Sequence, residues 1–403
     1  MDRARLVCPH RPPCSGCPRF GEHGIAPSAR TKLDSLAAAH ELPCIEVESG
    51  ALSGFRHRAR LAIRGRTGSP KIGLFELGTH RVVHIPDCRV QHPLINRVAE
   101  VARSALVDLR LTTYSERAHL GLVRYLQVVI ERHSQSAQVV LVVNHPDAGI
   151  ASADTDPTGL AGCLDAIRER LGTALHSLWV NFNTARTNRI LGETFVHWFG
   201  PEAIVDRFGG AEVFYPPGAF GQSNPEIAER IIAHVRSQVR QMAQAGQMAA
   251  AGQMAPASVR IAELYAGVGA IGLSLLECAS ELRMNEVSGF SLRGLELGLA
   301  GLSPAERAKV SVLPGSAAEA RQMLVDADVV IVDPPRKGLD AGLTEALVAQ
   351  PPPHLIYVSC GLDSLERDVA LLTSTAFKLG SLRAFNLIPY TEHVETVACF
   401  SRK

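Results

Sequence analysis

The sequence predicts an α/β protein in two parts. Residues 1–214 read as an α+β domain with an antiparallel sheet, and residues 215–403 as a doubly wound, mostly parallel sheet flanked by helices. Three observations carry this. The chain has 403 residues, enough for two or three domains at roughly 100–200 residues each. The first half shows alternating strand-like runs broken by Gly and Pro, whereas the second alternates strand with helix. Charge also divides: residues 1–210 carry 25 Lys/Arg against 20 Asp/Glu, and residues 211–403 carry 16 against 20.

Taken in order, the first 20 residues are too rich in Cys and Pro for regular structure. SARTKLDSLAAAH (28–40) reads as a short amphipathic helix. FRHRARLAIRG, KIGLFELG and HRVVHIP read as strands joined by turns, and PLINRVAEVARSALVDLR (93–110) has apolar residues at helical spacing. YLQVVIER and AQVVLVVN form a strand pair, and LHSLWVNFN and FVHWFG suggest further strands. Residues 224–241 are helical, followed by a low-complexity insertion at about 241–258 in which AGQMA occurs twice, read as a helix extension or a mobile segment without chemistry. Then come a strand and turn (IAELYAG), a helix (LSLLECAS), a strand (LRMNE) and a helix (FSLRGLELGLAGL). The strands KVSVLPG, DVVIVDPP, HLIYVSC and ETVACFSR complete the pattern.

Hydrophobic residues make up 46% and charged residues 20%, which excludes whole-chain disorder. No apolar run approaches a membrane span, and MDRARLVCPHRPPC has no secretory apolar core, so a cytoplasmic location without membrane contact is expected. There the nine cysteines are not expected to form structural disulfides, and nine is high for a chain with no use for them. The acid-free stretch between Glu48 and Glu76 holds Arg56, Arg58, Arg60, Arg64, Arg66 and Lys71, a pattern that suits a phosphate backbone. A solvated strand face in an Arg-rich chain would look the same.

Residues 261–271 place a strand end at Tyr265, then Gly267 and Gly269 opening a helix, where backbone N–H groups can meet a ligand. Glu286 follows Gly267 by 19 residues, the distance at which an acid holds a ribose diol. Gly272 is misplaced for the third glycine of a dinucleotide fingerprint. Adenosine without pyrophosphate points to S-adenosylmethionine. Asp333 ends the apolar strand before Pro334 and Pro335, and Asp-Pro-Pro at a strand end marks enzymes that methylate nucleobases.

Cys360 ends the next strand and precedes a helix start, which lowers a thiol pKa and turns it toward the same crevice. Glu395 opens the last strand. A thiol, a carboxylate and a methyl donor together solve one problem. C5 of uracil is a weak nucleophile until a thiolate adds at C6, and a base must remove the C5 proton before the thiolate leaves. Cys8, Cys14 and Cys17 form C-x5-C-x2-C, which points to a metal or an iron–sulfur centre. Cys88 in a loop is favoured over Cys44 as fourth ligand because a loop can adapt, and zinc remains open as the alternative.

The stretches GAFGQSN (218–224), ELYAGVGAIGL (263–273), Glu286, VDPPRKG (332–338), IYVSCGLDSLERD (356–368) and PYTEHVETV (389–397) resemble the RNA 5-methyluridine (uracil-C5) methyltransferases, in that family's order. The resemblance is closest to the iron–sulfur 23S rRNA enzymes that lack an N-terminal TRAM domain. It implies a Rossmann-like class I domain that uses S-adenosylmethionine, contacted by Gln222, Tyr265, Gly267, Glu286 and Asp333. It further implies Cys360 as nucleophile, Glu395 as base, and a [4Fe-4S] cluster on Cys8, Cys14, Cys17 and Cys88. Phe220 resembles an aromatic packing on base or cofactor, and Arg56, Arg58, Arg60 and Lys71 stand as RNA contacts. The expected protein is a monomer acting on RNA, 23S rRNA before tRNA. Rival readings are an amino-group nucleobase methyltransferase and a non-enzymatic RNA-binding iron–sulfur protein. Glu263 in place of Asp, Gly361 in place of Asn, and Ser316 in place of an acid or amide depart from the family pattern.

Overall fold

The computed structural model describes residues 7–146, 156, 158–249 and 258–403. Two large sheets organise it. The N-terminal sheet has seven strands in the order β4-β3-β2-β5-β6-β7-β8. These are β2 (Arg58–Arg66), β3 (Ser69–Phe75), β4 (Val82–His84), β5 (Val123–Glu131), β6 (Ser136–Val143), β7 (Leu175–Phe182) and β8 (Thr194–Phe199). All pairs are antiparallel except β6 with β7, which are parallel. A parallel pair needs a crossover, and helix α3 (Leu160–Leu171) supplies it, an element the sequence reading missed. Helix α2 (Pro93–Asp108) packs beside α3 on one face of the sheet, burying Ile95, Val98, Ala102 and Leu106. A two-stranded ribbon, β9 (Ile204–Phe208) with β10 (Ala211–Tyr215), leads to the second half.

The C-terminal sheet has eight strands in the order β1-β16-β17-β15-β14-β11-β12-β13. Its parallel part holds β11 (Val259–Leu264), β12 (Ala279–Glu286), β13 (Val310–Pro314), β14 (Val329–Val332) and β15 (His354–Ser359). One strand, β17 (Glu395–Arg402), runs against it, and β16 (Phe377–Asn386), antiparallel to β17, runs with it again. β14 is Val-Val-Ile-Val and buried throughout, as a strand covered on both faces must be. The doubly wound reading therefore holds, with β16 the strand it overlooked.

Two expectations change and a third is narrowed. First, β1 (Val47–Ser49) lies parallel to β16 and so joins the C-terminal sheet. Helix α1 (Pro27–Ala39) packs near α8 (Leu362–Thr375), with Leu33 and Leu36 in the same core as Leu365 and Val369. Residues 27–49 thus belong with the second half, and a single boundary near 215 does not divide the molecule. Second, LSLLECAS is not a helix. Only a 3-10 turn at Leu273–Leu275 fits before β12 begins at Ala279. Gly267 and Gly269 have φ of 59° and 86°, so the chain is still turning where a helix would start. Third, helix α4 (Pro225–Ala249) runs into the AGQMA insertion, so its first part is a helix extension. Residues 250–257 lie outside the described residues.

Candidate active site

The carboxyl edge of the parallel sheet gathers the predicted residues. Tyr265, Glu286, Asp333 and Cys360 stand at or just past the ends of β11, β12, β14 and β15. β17 runs the opposite way, so its first residue comes to the same edge. Ser359 pairs with Thr396 across β15 and β17, which sets Cys360 beside Glu395. Open α/β sheets bind ligands at this edge.

Electrostatics follow from burial. Burial pushes the Glu395 carboxyl up to about 8, helped by negative Asp333 and opposed by Arg336. Burial alone lifts Asp333 to about 7. The Cys360 thiol rises to about 11 through burial, then Glu395 and Asp333, with Arg336 again opposing. The expectation that a helix start lowers this thiol is therefore corrected: burial, with Glu395 and Asp333 adding to it, outweighs the start of α8. Arg336 is a cation that acts on both groups. It hydrogen-bonds His393 at 3.0 Å. The sequence reading passed over Arg336, although it stands inside VDPPRKG. Gly361 also has a reason: a Cβ there would meet the Arg336 carbonyl oxygen at 2.9 Å.

Beside this pair lies the Gly-rich turn. Gly267 N–H donates to Glu286 Oε2 at 2.8 Å. Val287 and Ser288 N–H donate to Oε1 at 2.8 and 2.6 Å. A carboxylate offers about four acceptor positions, so one remains for a ligand hydroxyl. A Cβ added at Gly267 would meet nothing within 4 Å, which leaves open space over the turn. Tyr265 holds a left-handed φ of 61° and donates its hydroxyl to Asp340 at 3.0 Å. Gln222 lines a small cavity of about 60 Å³ with Ala270 of the turn. Phe220 is 63% exposed on the preceding loop. Ser316 donates its hydroxyl to Glu319 at 2.8 Å, so an acid still stands at that strand end.

Glu263 is 2% exposed and one carboxyl oxygen has no partner. A Cβ at position 272 would sit 2.2 Å from it, so Gly272 serves this contact. Burial raises Glu263 to about 8, with Asp333 adding to it. The folded state therefore keeps a proton that the unfolded chain gives up above its ordinary value. The stability tied to it is full at acid pH and lost as pH rises through about 8. Glu263→Gln should flatten this loss, on the order of a few kcal/mol at pH 9. Melting temperatures from pH 6 to 9 check it; equal slopes for both proteins would refute it.

The basic run is redistributed. Arg58 donates to the Ala219 carbonyl at 2.9 Å and lies over the Tyr215 ring. Arg64 is 8% exposed, paired with Glu116 and stacked on Phe75, Tyr114 and Tyr125. Arg56 turns toward the cysteine loop. A continuous phosphate-facing stripe is thus corrected: only Arg60, Arg66 and Lys71 of the run are exposed, and Arg60 is bonded to Gln127 at 2.8 Å. Even-numbered positions of β2 share one face, but much of that face is covered.

Cys8, Cys14, Cys17 and Cys88 line a single cavity of about 150 Å³, with Arg56 and Phe20. Cys44 is exposed and does not line it. Burial raises Cys14, Cys88 and, to about 12, Cys17; the other thiols of the group add to each shift. Among the described residues, no group of three or more His, Cys, Asp or Glu is arranged to hold a single metal ion. No helix among them is long and apolar enough to cross a membrane.

The family profile described as tRNA (Uracil-5-)-methyltransferase matches residues 322–403. An uncharacterized RNA methyltransferase of Protochlamydia amoebophila is 33% identical over 402 residues, covering 100% of this chain and 99% of that protein. One from Halalkalibacterium halodurans is 26% identical, covering 98% and 82%. Among solved structures, the Pyrococcus abyssi tRNA (uracil-54, C5)-methyltransferase in complex with S-adenosyl-L-homocysteine aligns with a TM-score of 0.71. It is 21% identical and covers 96% of this chain and 86% of its own.

Proposed function

The chain belongs to the RNA uracil-5-methyltransferase family, and from that premise we propose that it methylates C5 of a uridine in structured RNA, in 23S rRNA before tRNA. The observation that carries the reading is the β15–β17 register, which sets a thiol against a buried carboxyl beside a Gly-rich turn. S-adenosylmethionine, when bound, supplies an electrophilic methyl group. Gln222, Tyr265, Gly267, Glu286 and Asp333 would hold it. The free acceptor position on Glu286 and the open space over Gly267 fit such a ligand.

In the proposed mechanism the target base is turned out of its stack into the cleft. Cys360 adds its thiolate to C6, which makes C5 enolate-like. After C5 is methylated, Glu395 takes the C5 proton; the C5–H electrons form the C5=C6 bond and the C6–S bond breaks. Arg336 draws both groups toward their charged forms, against burial. An amino-group methyltransferase would need neither Cys360 nor Glu395.

The cysteine site supports a [4Fe-4S] cluster. Four soft thiols surround one cavity, and without a cation burial and mutual repulsion hold at least three of them protonated. Ligands of a cluster sit on different irons and stand further apart than those of one zinc. Protein purified anaerobically should be brown with about four irons per chain. Colourless protein with stoichiometric zinc would defeat this part.

The rRNA reading rests on the cysteine arrangement, and the tRNA reading on the profile and the P. abyssi protein, both of which carry tRNA names. Mapping 5-methyluridine in total rRNA and tRNA, from cells with and without the gene, decides. Loss from rRNA supports the first and loss from tRNA the second. Unchanged modification in both overturns the function.

A further inference from the structure

The cysteine loop and the loop that leads to Glu395 are far apart in sequence but meet in the fold. The loop between β16 and β17, residues 387–394, delivers Glu395 to the cleft. Its Tyr390 is 4% exposed and has a left-handed φ of 67°. A bulky residue keeps that backbone only where its surroundings hold it.

What holds it is the cysteine loop. The Tyr390 ring stands 4.9 Å from Phe20 and packs in one cluster with Phe55, Val90, Cys17 and Cys88. Phe20 N–H donates to the Cys17 carbonyl at 3.1 Å. Arg19, 8% exposed, donates its backbone N–H to the Tyr390 carbonyl at 3.0 Å. Its guanidinium reaches the Thr391 carbonyl at 3.4 Å and the Glu392 carboxylate at 3.8 Å. Two residues just past Cys17, separated from it only by Pro18, therefore grip three consecutive residues of the base-carrying loop. His393, next in line, bonds Arg336. The chain of contacts thus runs from the cysteine cavity to the cation that faces both Cys360 and Glu395.

We propose that Arg19 and Phe20 are positioning residues for the catalytic base: they clamp Tyr390–Glu392, so the order of the cysteine loop sets where Glu395 stands. This rests on the uracil-C5 reading. It gives the cysteine centre a task in the elimination step without any redox role. A base moved off its proton slows C5 deprotonation by roughly 10- to 100-fold, while adduct formation and methyl transfer proceed. The covalent RNA–protein adduct then accumulates.

The experiment uses the full chain, purified anaerobically. Arg19→Ala and Phe20→Leu are compared with wild type for iron content, hydrogen exchange over 387–394, and the fraction of RNA in adduct stable to denaturing gels at steady state. With iron retained, both variants should exchange faster in the loop and show roughly tenfold more adduct. If Arg19→Ala loses iron, Phe20→Leu, which keeps the apolar packing, decides alone. Iron-loaded variants with wild-type exchange and no adduct excess overturn the clamp. A wild-type protein that forms no adduct with 5-fluorouridine RNA, where C5 carries no removable proton after methylation, overturns the uracil-C5 mechanism, and the clamp with it.

Discussion

Cys360→Ala should lower methyl transfer by at least roughly 10³-fold, the scale on which deletion of a covalent catalyst is felt. RNA affinity should stay within a few-fold, because the thiol adds one small contact to a surface spread over two sheets. The measurements are incorporation of labelled methyl groups into RNA and a gel-shift titration. On the proposed mechanism nothing else in the cleft can replace the sulfur. Glu395 and Asp333, the ionisable groups that act most strongly on the thiol, are both carboxyls. Normal turnover by the variant would sink covalent catalysis at C6. Lost RNA binding would instead mean that Cys360 shapes the cleft.

Glu395→Gln should separate the two halves of the reaction. Glutamine keeps the shape of the side chain but cannot accept the C5 proton. Adduct should form, methylate and stay, with release slowed by about 10²–10⁴-fold. The pH dependence follows from the raised carboxyl. A base must be ionised, and burial holds Glu395 protonated up to about 8. Wild-type release should therefore climb as pH rises through about 8, while the variant stays flat. Fast, pH-dependent release by Glu395→Gln would assign the proton to another group, with His393 first to be tested because it bonds Arg336.

Much of the C-terminal half was legible because local pattern and topology agree there. An apolar run such as Val329–Val332 followed by Asp-Pro-Pro specifies a buried strand and a stiff turn at its end. Glu286 was found by counting 19 residues from Gly267, and the two are joined at 2.8 Å. The helix expected after the Gly-rich turn failed for a local reason too. Gly272 must lie against Glu263, and the chain reaches β12 before a helix can form. β16 escaped notice because FKLGSLRAFN alternates weakly, and its partners lie at positions 47–49 and 395–402.

The arginine run shows the other limit. Spacing says which residues share a face of β2, and it does so correctly. It does not say what covers that face. Arg64 is enclosed by Phe75, Tyr114 and Tyr125, which come from three other segments. A count of positive charge therefore overstated what RNA could reach.

By itself the sequence determined the family, the doubly wound half, and the residue types set for chemistry at the ends of β11, β12, β14, β15 and β17. Those features are local, and a strand end or a spacing can be read from neighbouring residues. Only the tertiary structure decided that residues 47–49 complete the C-terminal sheet, that burial and then two carboxyls raise the Cys360 thiol, and that the cysteine loop lies against the loop carrying Glu395. Cys88 and Cys360 are 272 positions apart in the chain. Distance along the chain does not measure distance through a packed core, and the Phe20–Tyr390 contact closes that gap.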